Sequence, residues 1–100
     1  MKYFISESVF NDPLPVCAEE IPKTYVPLHE AHVKAAIDRG QVLLAGPKTG
    51  EGGGFMVVKA ESREELDKFM ASDPFVVHGI AHFVVREFKL NDRAPCIQDW

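Results

Sequence analysis

The sequence predicts an α+β domain of the split βαβ plan, with elements in the order β-α-β-β-α-β. Three observations carry this. Two segments show helical apolar spacing with recognisable ends, and four short segments rich in Val, Ile, Leu and Phe flank them. Length adds the third: 100 residues make one domain, a size that buries only about two-thirds of its unfolded surface.

The first strand occupies residues 2–8, where Tyr3 and Ile5 fall on one side and Phe4 sits among polar neighbours on the other. Asn11-Asp12-Pro13-Leu14-Pro15 ends it, and residues 11–22 read as a loop. A helix then runs from about Tyr25 to Arg39, with Thr24 as candidate N-cap and Gly40 just past the end. Val33, Ala36 and Ile37 give it a core-facing stripe, and His29, four residues before Val33, shares that stripe. Glu30, Lys34 and Asp38 form the opposite face, and His32 lies on the flank.

The continuously apolar run Gln41–Ala45 is the second strand, stopped by Gly46-Pro47. A glycine-rich connection, Gly50 to Gly54, leads into the third strand, Phe55–Ala60. Ser62-Arg63-Glu64-Glu65 is a capping box that opens the second helix. Leu66, Phe69 and Met70 form its stripe, and it ends near Ser72 or Asp73, because the residue before Pro74 disfavours helical backbone. The last strand spans about Ala81 to Lys89, and Asn91–Trp100 is a tail. The chain thus reads as one domain over residues 1–100, with a core of about 1–90. Both helices cover one sheet face in this plan. The strands are apolar on both sides, as in Phe55/Val57 against Met56/Val58, so the open face calls for a second copy packed against it.

Composition excludes several function classes. The formal net charge is −4 and the eleven basic residues are scattered, whereas nucleic-acid binding needs clustered Lys and Arg. No stretch approaches the roughly 18 apolar residues of a membrane helix, and the polar N-terminus does not read as a signal peptide. Cys17 and Cys96 form no CxxC or zinc spacing. Reduced thiols in a cytoplasmic protein are the expectation. His29 and His32 stand three residues apart, but no third ligand is fixed by spacing, so no metal is expected.

The candidate chemistry rests on His29 and Asp73. A histidine on a core-facing stripe is ordinarily a core residue bonded to backbone. A carboxylate accepting from one ring nitrogen, however, fixes the tautomer and leaves the other nitrogen to move a substrate proton. For Asp73 the ordinary reading is helix-exit chemistry. A carboxylate is unfavourable beside the negative end of the helix dipole, which argues for a compensating partner. Gly46 and Pro47 offer a backbone wall that a substrate can approach closely.

With Pro27-Leu28-His29, Gly40, Ala45-Gly46-Pro47, Gly52-Gly53-Gly54 and Asp73-Pro74-Phe75 in that order, the chain resembles the YCII-related family over about residues 1–90. The resemblance implies a ferredoxin-like dimeric α+β barrel, with His29 and Asp73 as a His–Asp dyad. It implies a small cofactor-free enzyme of lyase, isomerase or hydrolase type. The substrate would be a small ring or carbonyl compound, held beside Gly46, Pro47, Phe75 and His32 in a homodimer joined through the open sheet face. A non-catalytic metabolite-binding or dimeric partner protein is the alternative, and a cofactor-free monooxygenase or haem-binding relative a further one. The chain departs from the family pattern at Val26, where many members carry Arg. The added histidines His32, His78 and His82 and the ending Cys96–Trp100 are departures as well.

Overall fold

The computed structural model describes residues 1–100. Its strands are β1 (Lys2–Phe10), β2 (Val42–Pro47), β3 (Gly54–Ala60) and β4 (Ala81–Phe88). Its helices are α1 (Val26–Asp38), α2 (Arg63–Ala71) and a single turn, α3 (Pro74–Val77). The strands form one antiparallel sheet in the order β2-β3-β1-β4, which is the ferredoxin-like arrangement. The helices pack on one face.

Strand alternation assigns the two faces. Phe4, Ser6 and Ser8 of β1 lie inward with their partners Val58 and Met56 of β3 and Val85 and Phe83 of β4. The main core is built there from Phe4, Val33, Ala36, Val42, Met56, Val58, Leu66, Phe69 and Met70. A second cluster, Ile21, Phe75, Ile80 and Ala81, fills the end where α3 sits. The outward side carries Tyr3, Ile5 and Glu7 opposite Lys59, Val57 and Phe55 of β3 and Phe88, Arg86 and Val84 of β4.

The capping box forms as expected. Glu65 N donates to Ser62 Oγ at 3.1 Å, while the Glu65 carboxylate accepts from the backbone of Glu61, at 3.0 Å, one residue before the cap.

The structure corrects four sequence expectations. Helical backbone begins earlier than Tyr25, with a wider π turn over Ile21–Tyr25 that leads directly into α1. Pro22 and Pro27 fall at the starts of these two segments, where a missing N–H costs nothing. Thr24 therefore caps nothing, and its hydroxyl bonds Glu20 instead at 2.9 Å. Gly46 and Pro47 belong to β2 rather than stopping it. Ile37 is exposed, because the inner surface near it is hollow rather than filled. The tail is ordered, with a short turn at Pro95–Ile97 and Trp100 folded back onto the sheet.

Candidate active site

The site begins at the junction of α2 and α3. Helix α2 ends at Ala71, and Asp73 takes extended backbone, as a residue before proline prefers. Asp73 is thereby not the last residue of one helix but the N-cap of the next. Its Oδ1 accepts from Phe75 N at 2.9 Å, and the carboxylate sits at the favourable end of the α3 dipole. The local cost anticipated from the sequence is absent.

The same carboxylate meets α1. His29 Nδ1 lies 2.9 Å from Asp73 Oδ1 and 2.8 Å from Oδ2. A carboxylate only accepts, so Nδ1 carries the proton and donates to both oxygens. Asp73 is 1% exposed, and the His29 side chain is 21% exposed. The imidazole stacks flat on Phe75, with centroids 4.3 Å apart and planes 3° off parallel. Phe75 is held in turn edge-on by Phe10, at 5.7 Å. Carboxylate and aromatic plane together fix the ring's orientation, and Nε2 is left without a protein partner.

His29 and Phe75 border a cleft of about 430 Å³ between α1 and the inner face of the sheet. Its apolar wall includes Val26, Val33, Ile37, Met56 and Phe83, and its far side is Ala45, Gly46 and Pro47 with the glycine run. The cleft exists because β1 carries Ser6 and Ser8 where it would otherwise carry bulk. The glycine run is a fitted wall. Gly53 has φ +88°, and a Cβ there would fall 2.0 Å from the Ser8 carbonyl oxygen. Gly54 N donates to Ser8 Oγ at 2.8 Å, which pins the hairpin to β1.

Of the residues singled out from sequence, the structure brings together His29, Asp73, Phe75, Gly46 and Pro47. His32 is elsewhere. It stacks on Phe69 at 4.9 Å, on the side of α1 that faces α2, and is absent from the cleft lining. His78 and His82 are exposed, the first against Tyr25 and the second donating to Asn11 Oδ1 at 2.7 Å. No three His, Cys, Asp or Glu side chains converge as a metal-binding group, and both cysteines are free and exposed. Sequence reasoning missed Ser6 and Ser8. Two serines between Phe4 and Phe10 on one side of β1 were the available signal.

The model of the YCII-related domain matches residues 15–89, most of the chain. The chain belongs to that family. No functionally curated protein matches it. Among solved structures it is similar to 5-chloro-2-hydroxyhydroquinone dehydrochlorinase (TftG) from Burkholderia phenoliruptrix AC1100, determined in complex with 2,5-dihydroxybenzoquinone. That likeness has a TM-score of 0.69 and 21% identity, and covers 89% of this chain and 95% of the other. At this identity it supports the ferredoxin-like fold of the YCII-related chain and nothing finer.

Proposed function

We propose that this YCII-related protein is an enzyme of lyase, isomerase or hydrolase type, acting on a small ring or carbonyl compound with the chain's own residues. The observation that carries the reading is the His29–Asp73 pair, with Nδ1 held by a buried carboxylate and Nε2 unpartnered on a residue that lines the cleft. In this role Nε2 takes a proton from carbon or oxygen of the substrate, and the Asp73 carboxylate stabilises the imidazolium that forms. Returning the proton to a different atom isomerises the substrate. When a leaving group departs from the neighbouring carbon with its bonding pair, the step is an elimination. When Nε2 instead takes a proton from a bound water, the water oxygen bonds to a carbonyl carbon, and the proton passes from Nε2 to the group that leaves, completing a hydrolysis. His29 is the catalytic residue and Asp73 the positioning residue. Phe75, Gly46 and Pro47 serve as walls for a flat ligand.

The test is a thermal-shift screen of small ring and carbonyl metabolites, followed by turnover assays on each compound that stabilises the protein. Turnover by the natural chain and its loss by at least ~10²-fold in His29→Ala are expected. Hits that bind without any turnover would assign the protein to non-catalytic metabolite binding instead.

A further inference from the structure

Three charged side chains border the cleft besides His29: Glu30, Lys34 and Glu51. Glu30 and Lys34 come from the solvated face of α1, and Glu51 from the β2–β3 connection, so all three stand at the rim. The lysine Nζ stands 3.9 Å from Asp38 Oδ1 one helical turn on, an exposed pair that leaves the ammonium in solvent outside the cleft. Neither glutamate takes part in an ion pair. Deeper in, the polar side chains other than His29 are Ser6 and Ser8, and the Ser8 hydroxyl already accepts from Gly54 N. Behind His29 lies Asp73, a carboxylate nine-tenths or more buried. The side chains of Val26, Val33, Ile37, Met56 and Phe83 make most of the wall between rim and dyad apolar.

An anion entering this cleft would shed water, pass two unpaired carboxylates and approach a third, with no cation inside to receive it. A desolvated carboxylate or phosphate without a partner is strongly disfavoured, and the like charges add to the penalty. An uncharged ring meets none of these costs. It loses water that the apolar walls do not need, and it can present a hydroxyl or carbonyl oxygen to Nε2.

We infer that the cleft selects uncharged ring compounds and rejects carboxylates and phosphates, because two of the three charged side chains at its rim are acidic and no Lys or Arg side chain lies deeper in it. This rests on the acid/base reading above and narrows its substrate class. Glu30 and Glu51 are the specificity-determining residues on this account. They act by charge at the entrance rather than by contact with the reacting atoms.

A matched pair of probes tests it. 4-Methylphenol and 4-methylbenzoate share one ring and one methyl group; the first carries a neutral hydroxyl and the second a carboxylate, a difference of one negative charge at neutral pH. Titration of the isotopically labelled protein with each, followed by amide and imidazole NMR shifts, gives both affinity and location. 4-Methylphenol is expected to bind at least about tenfold tighter, a ratio worth ~1.4 kcal/mol, with shifts at His29 and Phe75. In Glu30→Lys/Glu51→Lys the ratio should fall at least about threefold, and the change should shrink as salt is raised. Both positions are exposed, so the variant keeps the fold. Equal or tighter binding of the benzoate by the natural protein overturns the selectivity and leaves the dyad reading standing. An unchanged ratio in the double variant overturns the role of the two glutamates. Phenol shifts that avoid His29 and Phe75, or no binding by either probe, would remove the ring-substrate reading and this inference with it.

Discussion

Each face of the sheet departs from the usual distribution of polarity at one place, the inner face at a polar spot within its apolar core and the outer face at an apolar patch. The inner face, where a hydrophobic core belongs, carries Ser6 and Ser8 on its central strand and an aspartate buried beside it. The outer face, exposed in the single chain, carries Ile5, Leu44, Phe55 and Val84, each about half exposed. Polar groups inside a small domain cost stability, so their presence around the cleft that His29 borders fits the proposed acid/base role. Apolar groups outside also cost, and their concentration on one face points to a partner surface. A second copy would meet that need, because a self-complementary seam needs only this one patch.

The largest effect should come from the inner face, at Asp73, where two roles are separable. Asn keeps the oxygen that caps α3, since Asn and Asp serve equally as N-caps. The two oxygens that now receive Nδ1–H become one oxygen and one N–H donor. The imidazole then gains by taking its proton on Nε2 and accepting from the amide at Nδ1, and Nε2 can no longer act as a base. Asp73→Asn is expected to lower turnover by at least ~10²-fold with stability reduced by less than about 1 kcal/mol. Asp73→Ala loses the cap as well and should cost about 1–2 kcal/mol more. Nitrogen chemical shifts of His29 read the tautomer directly. An unchanged tautomer in Asp73→Asn, with full turnover, would reduce the pair to a structural contact.

The outer face is tested at Val57. Alternation places it outward, opposite Ile5, while Val58 is completely buried against the helices. We propose that the protein is a homodimer joined through this face, and Val57→Glu would bury an unpaired charge at the seam. The expected result is a mass in solution near twice 11.2 kDa for the natural chain and a shift to monomer or aggregate for the variant. A natural chain that scatters as a monomer at micromolar concentration would leave the apolar face without its second copy.

Why the sequence yielded some of these features and not others has a physical basis. The helices and strands were readable because apolar spacing and caps are local. So were His29 and Asp73, each conspicuous against its neighbours. What escaped depended on long-range geometry. Asp73 looked like a helix end because nothing nearby in sequence shows that α3 starts at Pro74 and turns the carboxylate back toward α1. His32 is three residues from His29, and only the position of Phe69 decides that it faces α2. The glycine run has the composition of a flexible loop, and only the nearness of Ser8 makes it a rigid wall. The tail carried no periodicity, so its order came from a few contacts made far along the chain.

Those contacts supply the smallest predicted effect and refine the picture of the outer face. Trp100 Nε1 donates to the Gly40 carbonyl at 2.7 Å, its ring lies 5.5 Å from Tyr3, and Lys59 Nζ stands 4.8 Å over it. Arg93 adds a contact to Tyr3 Oη at 3.2 Å. The tail therefore covers the corner of the outer face around Tyr3 and Lys59, two residues along β1 from Ile5. The apolar patch beyond that corner stays open. Trp100→Ala removes one hydrogen bond and a partly exposed aromatic contact, and should cost about 1–2 kcal/mol, read as a fall of roughly 4–16 °C in Tm. If the seam is built on Ile5, Leu44, Phe55 and Val84, the variant keeps its dimer mass while melting earlier. If the mass falls with the melting temperature, the tail is itself part of the seam, and the boundary between covered and open surface lies further along the strand than the side chains of a single chain indicate.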